Sequence, residues 1–439
     1  MTRTVHLARR AAAGAALALT LLGSASTQAQ SQPPSAAPAA APAPAAVRPV
    51  CGLSNGQKAT GAPIPIGAVV GRTGPDDFSA SAAAAAAWFK CVNENGGIHG
   101  RPIDYIVADD QWNPETAVQV AGKLVRDRKV LAMVGNSSFV ECGANARLYE
   151  QEGVMVIAGV GVPRECFFSK NYAPVNTGPR VSATLVAAHM AQTWKARKMV
   201  CIIPNIPSLG NWACEGAKAW GAGRGVTVET LAIDPASADA TSVMLQAAAG
   251  KPDAIILNLP KGVMVPLLAA AEQQGLHRRI RFASTTPAYD ASVPRAIGKA
   301  WDKALDLHLE FMPVESGGAD NSNWKAVMAA HADRKAPRDS FAQAGYLAAR
   351  IATEALLKLD PKTLDRPKVT AALRQVKGFR SDILCKPFYV GEGARHNANI
   401  SGPIARVSDG GFALTAPGCL TADEPELADV RADEKRLGL

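Results

Sequence analysis

Beyond residue 62 the chain alternates short apolar runs with longer stretches in which apolar residues recur every three or four positions. The run Ile64-Pro65-Ile66-Gly67-Ala68-Val69-Val70 predicts a buried strand, and residues 79–95 predict a helix stopped by Gly96-Gly97. The alternation continues with a strand at 102–108, a helix at 114–127 opened by Pro114, a strand at 130–134, a helix at 141–151 and a strand at 154–158. Continuous β-branched runs separated by helices predict a parallel sheet covered on both faces. The pattern restarts after Asn176-Thr177-Gly178-Pro179, with helices at 181–195, 212–222, 241–249 and 263–274 and strands at 199–203, 226–233, 254–259 and 280–283. That is a second α/β unit. Residues 322–331, 340–359 and 368–375 read as helices without enough strands for a sheet of their own, so they are expected to return and cover the first unit. A chain that leaves one unit, builds another and comes back crosses a hinge several times, which suits closure around a ligand.

Residues ahead of this pattern set its location. Arg3, Arg9 and Arg10 precede an apolar run at 11–22 that is too short to span a bilayer, and Thr27-Gln28-Ala29 is a small-x-small cleavage site. Residues 1–29 are therefore expected to be an export signal. The Ser/Pro/Ala tract that follows has no apolar periodicity, so residues 30–61 are expected to form a disordered tether. The first cysteine, Cys51, lies well past the cleavage point, which argues against a lipid anchor. No later run reaches the ~18 apolar residues of a membrane-spanning helix. The chain is thus expected in the periplasm and outside the bilayer.

Composition narrows the function classes. About 390 foldable residues exceed what one core usually serves, which again gives two lobes and a cleft. The formal charge is +9, and the three signal arginines, with no acid beside them, leave +6. Basic residues are scattered among acids, so nothing points to nucleic acid. Eight cysteines in an exported chain predict disulfides. Sequence-adjacent pairing gives Cys51–Cys91, Cys142–Cys166 and Cys385–Cys419. Cys201–Cys214 is not expected, because one sits in a strand and the other in the next helix, where their Cα atoms would exceed the ~7 Å reach of a bridge.

Catalytic signatures are missing. The chain has no G-x-S-x-G, H-E-x-x-H, P-loop or G-x-G-x-x-G after a strand. Gly221 to Gly225 follows a helix and acts as its stop. Seven dispersed histidines offer no metal-ligand spacing, and His396 has no cysteine or carboxylate nearby in sequence. Asp109-Asp110 ends a strand with side chains on opposite faces, which suits capping better than acid/base work. No enzyme activity, metal or cofactor is expected. Open α/β sheets instead bind solutes beyond their strand C-termini, against helix N-termini. Four loops are placed for this, at 71–74, 136–139, 159–164 and 205–212. Within them Ser137 and Ser138 read either as ligand groups or as a cap for the helix at 141, and Phe139 as either core or ligand contact.

These segments resemble the type I periplasmic binding proteins, in the branch typified by the leucine/isoleucine/valine-binding protein of ABC importers. The resemblance rests on 66–75 (IGAVVGRTGP), on 92–101 (VNENGGIHGR) with its N-x-x-G-G-I-x-G pattern, and on 109–117 (DDQWNPETA) with D-D-x-x-x-P-x-x-A. Residues 149–154 continue it. It is strongest over 64–162, weaker through the second unit and faint after Asp320. It implies two Rossmann-like lobes joined by three crossovers, lobe one from 62–178 and 312–385, lobe two from 179–311 and 386–420, then a C-terminal tail at 421–439. It also implies a monomer that captures a small solute without catalysis and delivers it to an inner-membrane ABC permease. A ligand sensor of the same fold is the alternative.

The ligand loops depart from that branch. Its amino-acid binders hold the α-carboxylate and α-ammonium with a Ser/Thr-rich loop and an Ala-Thr pair, where this chain has Ser137-Ser138-Phe139-Val140 and Val160-Gly161-Val162-Pro163. Leu209 replaces an expected aromatic, and Thr285-Thr286-Pro287 an expected acid. A buried ammonium without an acceptor costs several kcal/mol. Arg72, Arg164 and Lys261 lie in or beside cleft loops, and an arginine fork reads carboxylates. The expected ligand is an amino-acid-like solute or, preferred, a small carboxylate with an apolar or aromatic body packed on Phe139, Trp112, Val162 and Tyr289, with Val160, Gly161, Leu209 and Thr286 completing the site.

Overall fold

The computed structural model describes residues 48–439. The expected export signal at 1–29, and the expected tether as far as residue 47, lie outside the described residues. Lobe one opens with β1 (Ile64–Val70), α1 (Ala80–Glu94), β2 (Ile103–Asp109), α2 (Pro114–Gly122), β3 (Ala132–Val134), α3 (Glu141–Gln151), β4 (Met155–Ala158) and β5 (Tyr172–Pro174). Its sheet is parallel in the order β2-β1-β3-β4-β5. Gly97 ends the α1 turn at φ +57°, where a Cβ would lie 2.3 Å from the Arg101 carbonyl oxygen, so only glycine lets the chain turn into β2 here.

Lobe two follows with α4 (Gly178–Thr193), β6 (Lys198–Pro204), α5 (Gly210–Ala222), β7 (Thr227–Ile233), α6 (Ala240–Ala249), β8 (Ala254–Leu257), α7 (Lys261–Gln273), β9 (Arg281–Ser284), α8 (Val293–Ile297) and β10 (Leu305–His308). The chain then returns as α9 (Ala319–His331), α10 (Ser340–Leu356) and α11 (Arg366–Arg374). These helices lie on the first sheet's side: α10 lies against α1, β3 and β4. Trp88 of α1 meets Tyr346 edge-on at 5.1 Å and donates to Thr353 Oγ1 at 2.9 Å. The last elements are β11 (Ser401–Gly402), β12 (Ile404–Ser408), β13 (Gly411–Leu414), β14 (Leu420–Thr421) and α12 (Ala428–Leu437). Antiparallel β12 and β13 extend the second sheet to β13-β12-β10-β9-β8-β6-β7.

Three differences from the sequence reading have plain causes. Residues 48–61, assigned to the tether, are fastened to lobe one by the Cys51–Cys91 disulfide and by hydrogen bonds from Ala59 N to Asn93 O and from Gly61 N to Gly100 O. The tail at 421–439 contains α12, whose Val430 is buried beside Leu427 and Val181 and whose Glu434 takes Lys386 at 2.8 Å. All eight cysteines pair, including Cys201–Cys214. The expected separation of that pair was wrong: α5 lies directly on β6, which brings their Cα atoms to 6.0 Å.

The crossovers are tied to one another. The first runs from β5 to α4, the second from β10 to α9, and the third joins α11 to β11. Asn399 Nδ2 donates to Val175 O at 3.2 Å and to Glu310 O at 2.9 Å, so one buried amide joins all three. Asn397 Nδ2 adds a bond to Thr177 O.

Candidate ligand cleft between the lobes

The strand C-termini of both sheets face one another across a cavity of about 40 Å³. It has room for roughly three waters, given ~10–15 Å³ for each. Lobe one supplies Phe78, Phe139, Val160, Gly161, Val162 and Phe341. Lobe two supplies Ile203, Leu209, Leu259 and a frame of prolines, Pro179, Pro260 and Pro287. The polar groups are few: Asn176, Ser182, Asn258, Thr285 and Glu310. The loops after β3 and β4 come together because Ser137 bridges Val70 on one side and Val160 on the other. Gly161 is then clamped by Asn176, whose Oδ1 accepts from Gly161 N at 2.8 Å and whose Nδ2 donates to Gly161 O at 3.2 Å.

Five expected site residues line this cavity: Phe139, Val160, Gly161, Val162 and Leu209. Trp112 stands one layer behind, stacked on Phe139 at 4.4 Å and anchored by its Nε1 donating to Asp76 O at 3.0 Å. Ser138 caps α3, its Oγ accepting from Val140 N and Glu141 N, and it donates to the Asp110 carboxylate below. Ser137 is buried and its Oγ meets no partner among the described residues. Lys261, Thr286 and Tyr289 line a neighbouring pocket at the cleft mouth. There Thr286 donates to His308 O and Tyr289 to Glu315 Oε2 at 2.6 Å.

The cation-lined cleft is not formed. Arg72 is exposed, and only its backbone N–H is held, by Asp109 Oδ1 at 2.9 Å. Arg164 is exposed too, its guanidinium lying 3.8 Å over the Phe168 ring on the outer side. Lys261 Nζ sits 2.6 Å from Asp290 Oδ2. Burial draws the Lys261 ammonium down, but Asp290, Asp76 and Asp339 more than offset this and hold its pKa above the ordinary range. Long basic side chains reach water or a carboxylate at lower cost than they enter an apolar pocket, which is why these three turn away.

Among the described residues, the one ionisable side chain lining the cavity is an acid that the sequence reading missed. Glu310 is 4 % exposed, and its Oε1 accepts from Asn176 Nδ2 at 2.8 Å, Thr177 Oγ1 at 3.1 Å and Gly178 N at 3.0 Å. Burial pushes its carboxyl up to about 7 despite those bonds. Its signal was present: Leu305 to Phe311 reads L-D-L-H-L-E-F, a strict alternation that marks a strand with Asp306, His308 and Glu310 on one face. A second buried acid, Glu141, lies deeper in lobe one, bonded by Asn136 Nδ2, Tyr149 OH and Tyr172 OH. Burial pushes it up to about 7 as well. Among the described residues no cluster of histidine, cysteine or acid could hold a metal.

Two parallel α/β lobes, joined by three tied crossovers and facing each other across an apolar cavity, define a bilobal solute-binding protein. The chain belongs to the periplasmic binding protein family, which matches it over residues 63–411. That family is one of non-enzymatic solute binders. An amino acid binding protein of Pseudomonas aeruginosa is 35% identical over 66 residues, a segment covering 15% of this chain and 18% of that protein. Among solved structures, a fatty acid ABC transporter substrate-binding protein from Thermomonospora curvata superposes with TM-score 0.72 at 22% identity, over 86% of this chain and 96% of that one. An ABC transporter solute-binding protein of R. palustris in complex with benzoate superposes with TM-score 0.69 at 19% identity, over 83% and 98%. These likenesses are in the fold.

Proposed function

We propose that this protein is an extracytoplasmic solute receptor of an ABC importer, which captures a small organic compound with an apolar or aromatic body by closing its lobes. The observation that carries this reading is the cavity itself, walled from both lobes by Phe78, Phe139, Phe341, Val162, Ile203 and Leu209. Apolar area removed from water stabilises the closed form by roughly 25 cal/mol per Å². The cavity's small volume means that a solute enters with the lobes parted. Export is supported by the signal read from residues 1–29 and by four disulfides, which belong to an oxidising compartment. No helix among the described residues is long and apolar enough to cross a membrane. The family is one of transport partners, and the permease is the expected recipient of the loaded protein.

The carboxylate preference expected from sequence loses its support, since Arg72 and Arg164 stand outside the cavity. A thermal-shift screen of the oxidised protein tests the reading with isobutyl, isopentyl and benzyl bodies, each as amine, carboxamide and carboxylate, together with amino acids. A ligand at a hundredfold excess over Kd stabilises by about 2.7 kcal/mol. A raised unfolding temperature with at least one body supports solute capture. No shift across the set, at concentrations up to 10 mM or so, would refute it.

A further inference from the structure

Resting on that reading, the cavity's polar groups identify which head group the solute carries. Glu310 is buried at the second crossover and lines the cavity, yet all three of its protein hydrogen bonds fall on Oε1. Among the described residues nothing donates to Oε2. Oε2 keeps some accessible surface at the cavity, so a ligand donor can reach it, and a hydrogen bond made there, on so buried a side chain, is worth more than one made in water.

Three helix N-termini beside the same cavity are filled from within the protein, while those of α5 and α7, entered from cavity-lining Leu209 and Pro260, carry no side-chain cap. The N-terminus of α3 is capped by Ser138, that of α10 by Asp339, whose Oδ1 accepts from Ala342 N at 2.9 Å, and that of α4 by Glu310 itself through Gly178 N. Helix N-termini attract a ligand carboxylate through unpaired N–H groups, and these three have been given to protein oxygens. Among the described residues no arginine or lysine side chain lines the cavity. A ligand carboxylate there would face Glu310 across an apolar space with no cation to offset the repulsion.

We propose that Glu310 is the specificity-determining residue of the cleft, its Oε2 receiving a hydrogen bond from an ammonium or amide N–H of a solute whose apolar body lies against Phe139 and Phe341. Asn258 Oδ1 and Thr285 Oγ1, 3.2 Å apart on the lobe-two wall, are the polar groups facing that side of the solute. Because Oε1 is bonded to the first crossover, a solute held on Oε2 is coupled to the hinge through a single carboxyl group. Burial already brings Glu310 to about 7, so a nearby cation readily draws it into the charged form at neutral pH.

The test uses the amine, carboxamide and carboxylate of each body in the screen, titrated calorimetrically into wild type and Glu310→Gln. In the variant the amide oxygen can keep the three Oε1 bonds, while its NH2 turns the cavity-facing acceptor into a donor. Wild type is expected to bind the amine or carboxamide at least about tenfold tighter than the matching carboxylate, the usual worth of a charge-assisted hydrogen bond. Glu310→Gln is expected to lose that preference and gain affinity for the carboxylate, with an unfolding temperature close to wild type. A wild type that prefers the carboxylate overturns the assignment. So does a variant that weakens all three heads equally, which is the mark of a hinge role alone. If no compound binds either protein, the solute-binding reading falls, and this assignment with it.

Discussion

Replacing Gly345 by alanine tests how the lobe-one scaffold holds the cleft. Gly345 lies in α10 where that helix crosses α1, and a Cβ built on it would stand 1.8 Å from the Ser81 carbonyl oxygen. Ordinary contact begins near 3.4 Å, so the two backbones must part by about 1.6 Å at this point. The obstacle is main chain, which no rotamer change can relieve. Overpacking of this kind costs roughly 1–3 kcal/mol or more, against a gain of about 1 kcal/mol from alanine's helix propensity. Separation also strips contact from the buried alanines of α1 and from the Trp88–Tyr346 pair, so a net loss of about 3 kcal/mol is expected. At about 2.1 cal/mol/K of unfolding entropy per residue, that lowers the unfolding temperature by roughly 4 °C for a chain of this length. Phe341 occupies the first turn of α10 and packs on Phe78 at 5.1 Å, so solute affinity should fall as well. Gly122→Ala is the control: it is helical with nothing within 4 Å of the new methyl, and should stabilise by about 0.4–1 kcal/mol. Thermal unfolding of both variants decides the matter. A Gly345→Ala protein as stable as Gly122→Ala would refute the account of α1–α10 packing.

Three further outcomes are expected. Cys51→Ser with Cys91→Ser removes a loop 40 residues apart in sequence and should lower stability by about 4 kcal/mol, read by urea unfolding. Asn399→Ala leaves Val175 O and Glu310 O without their buried donor, at about 1–3 kcal/mol each, and should loosen the hinge so that solute affinity falls along with unfolding temperature. Glu141 has a folded pKa of about 7 against 4.5 when free, so its contribution is fully present below pH 4.5 and is lost as pH rises through 7. Wild type should therefore weaken relative to Glu141→Gln by about 3 kcal/mol between pH 4.5 and 8. Reading the difference is necessary because neutral buried His308, drawn down to about 3 by burial, pulls the absolute profile the other way between pH 3 and 6.5.

Most of the scaffold was legible because its signals are local. The helix at 141–151 was placed to the residue, and strands β1–β4 and β6–β9 within one or two positions, since continuous apolar runs and helical periodicity are short-range features. Strands β5 and β10–β14 were not read: β5, β11 and β14 are only two or three residues long, and β12 and β13 join the second sheet only after α9–α11 have intervened. Of the site, Phe139, Val160, Gly161, Val162 and Leu209 were reached by placing loops at strand C-termini. Arg72 and Arg164 were misplaced because charge and loop position say nothing about side-chain direction, and here desolvation sends both outward. Glu310 was passed over because it follows a strand that had not been recognised, at a crossover that only the folded chain brings to the cleft.

Solute capture as proposed requires the two lobes to close on a small organic compound. Pulsed electron paramagnetic resonance between spin labels at Val118→Cys on α2 and Leu245→Cys on α6, both exposed, measures the distance from one lobe to the other. With a solute found in the screen, one narrow distance is expected, and without it a longer or broader distribution. Identical distributions with and without a solute that binds would contradict it.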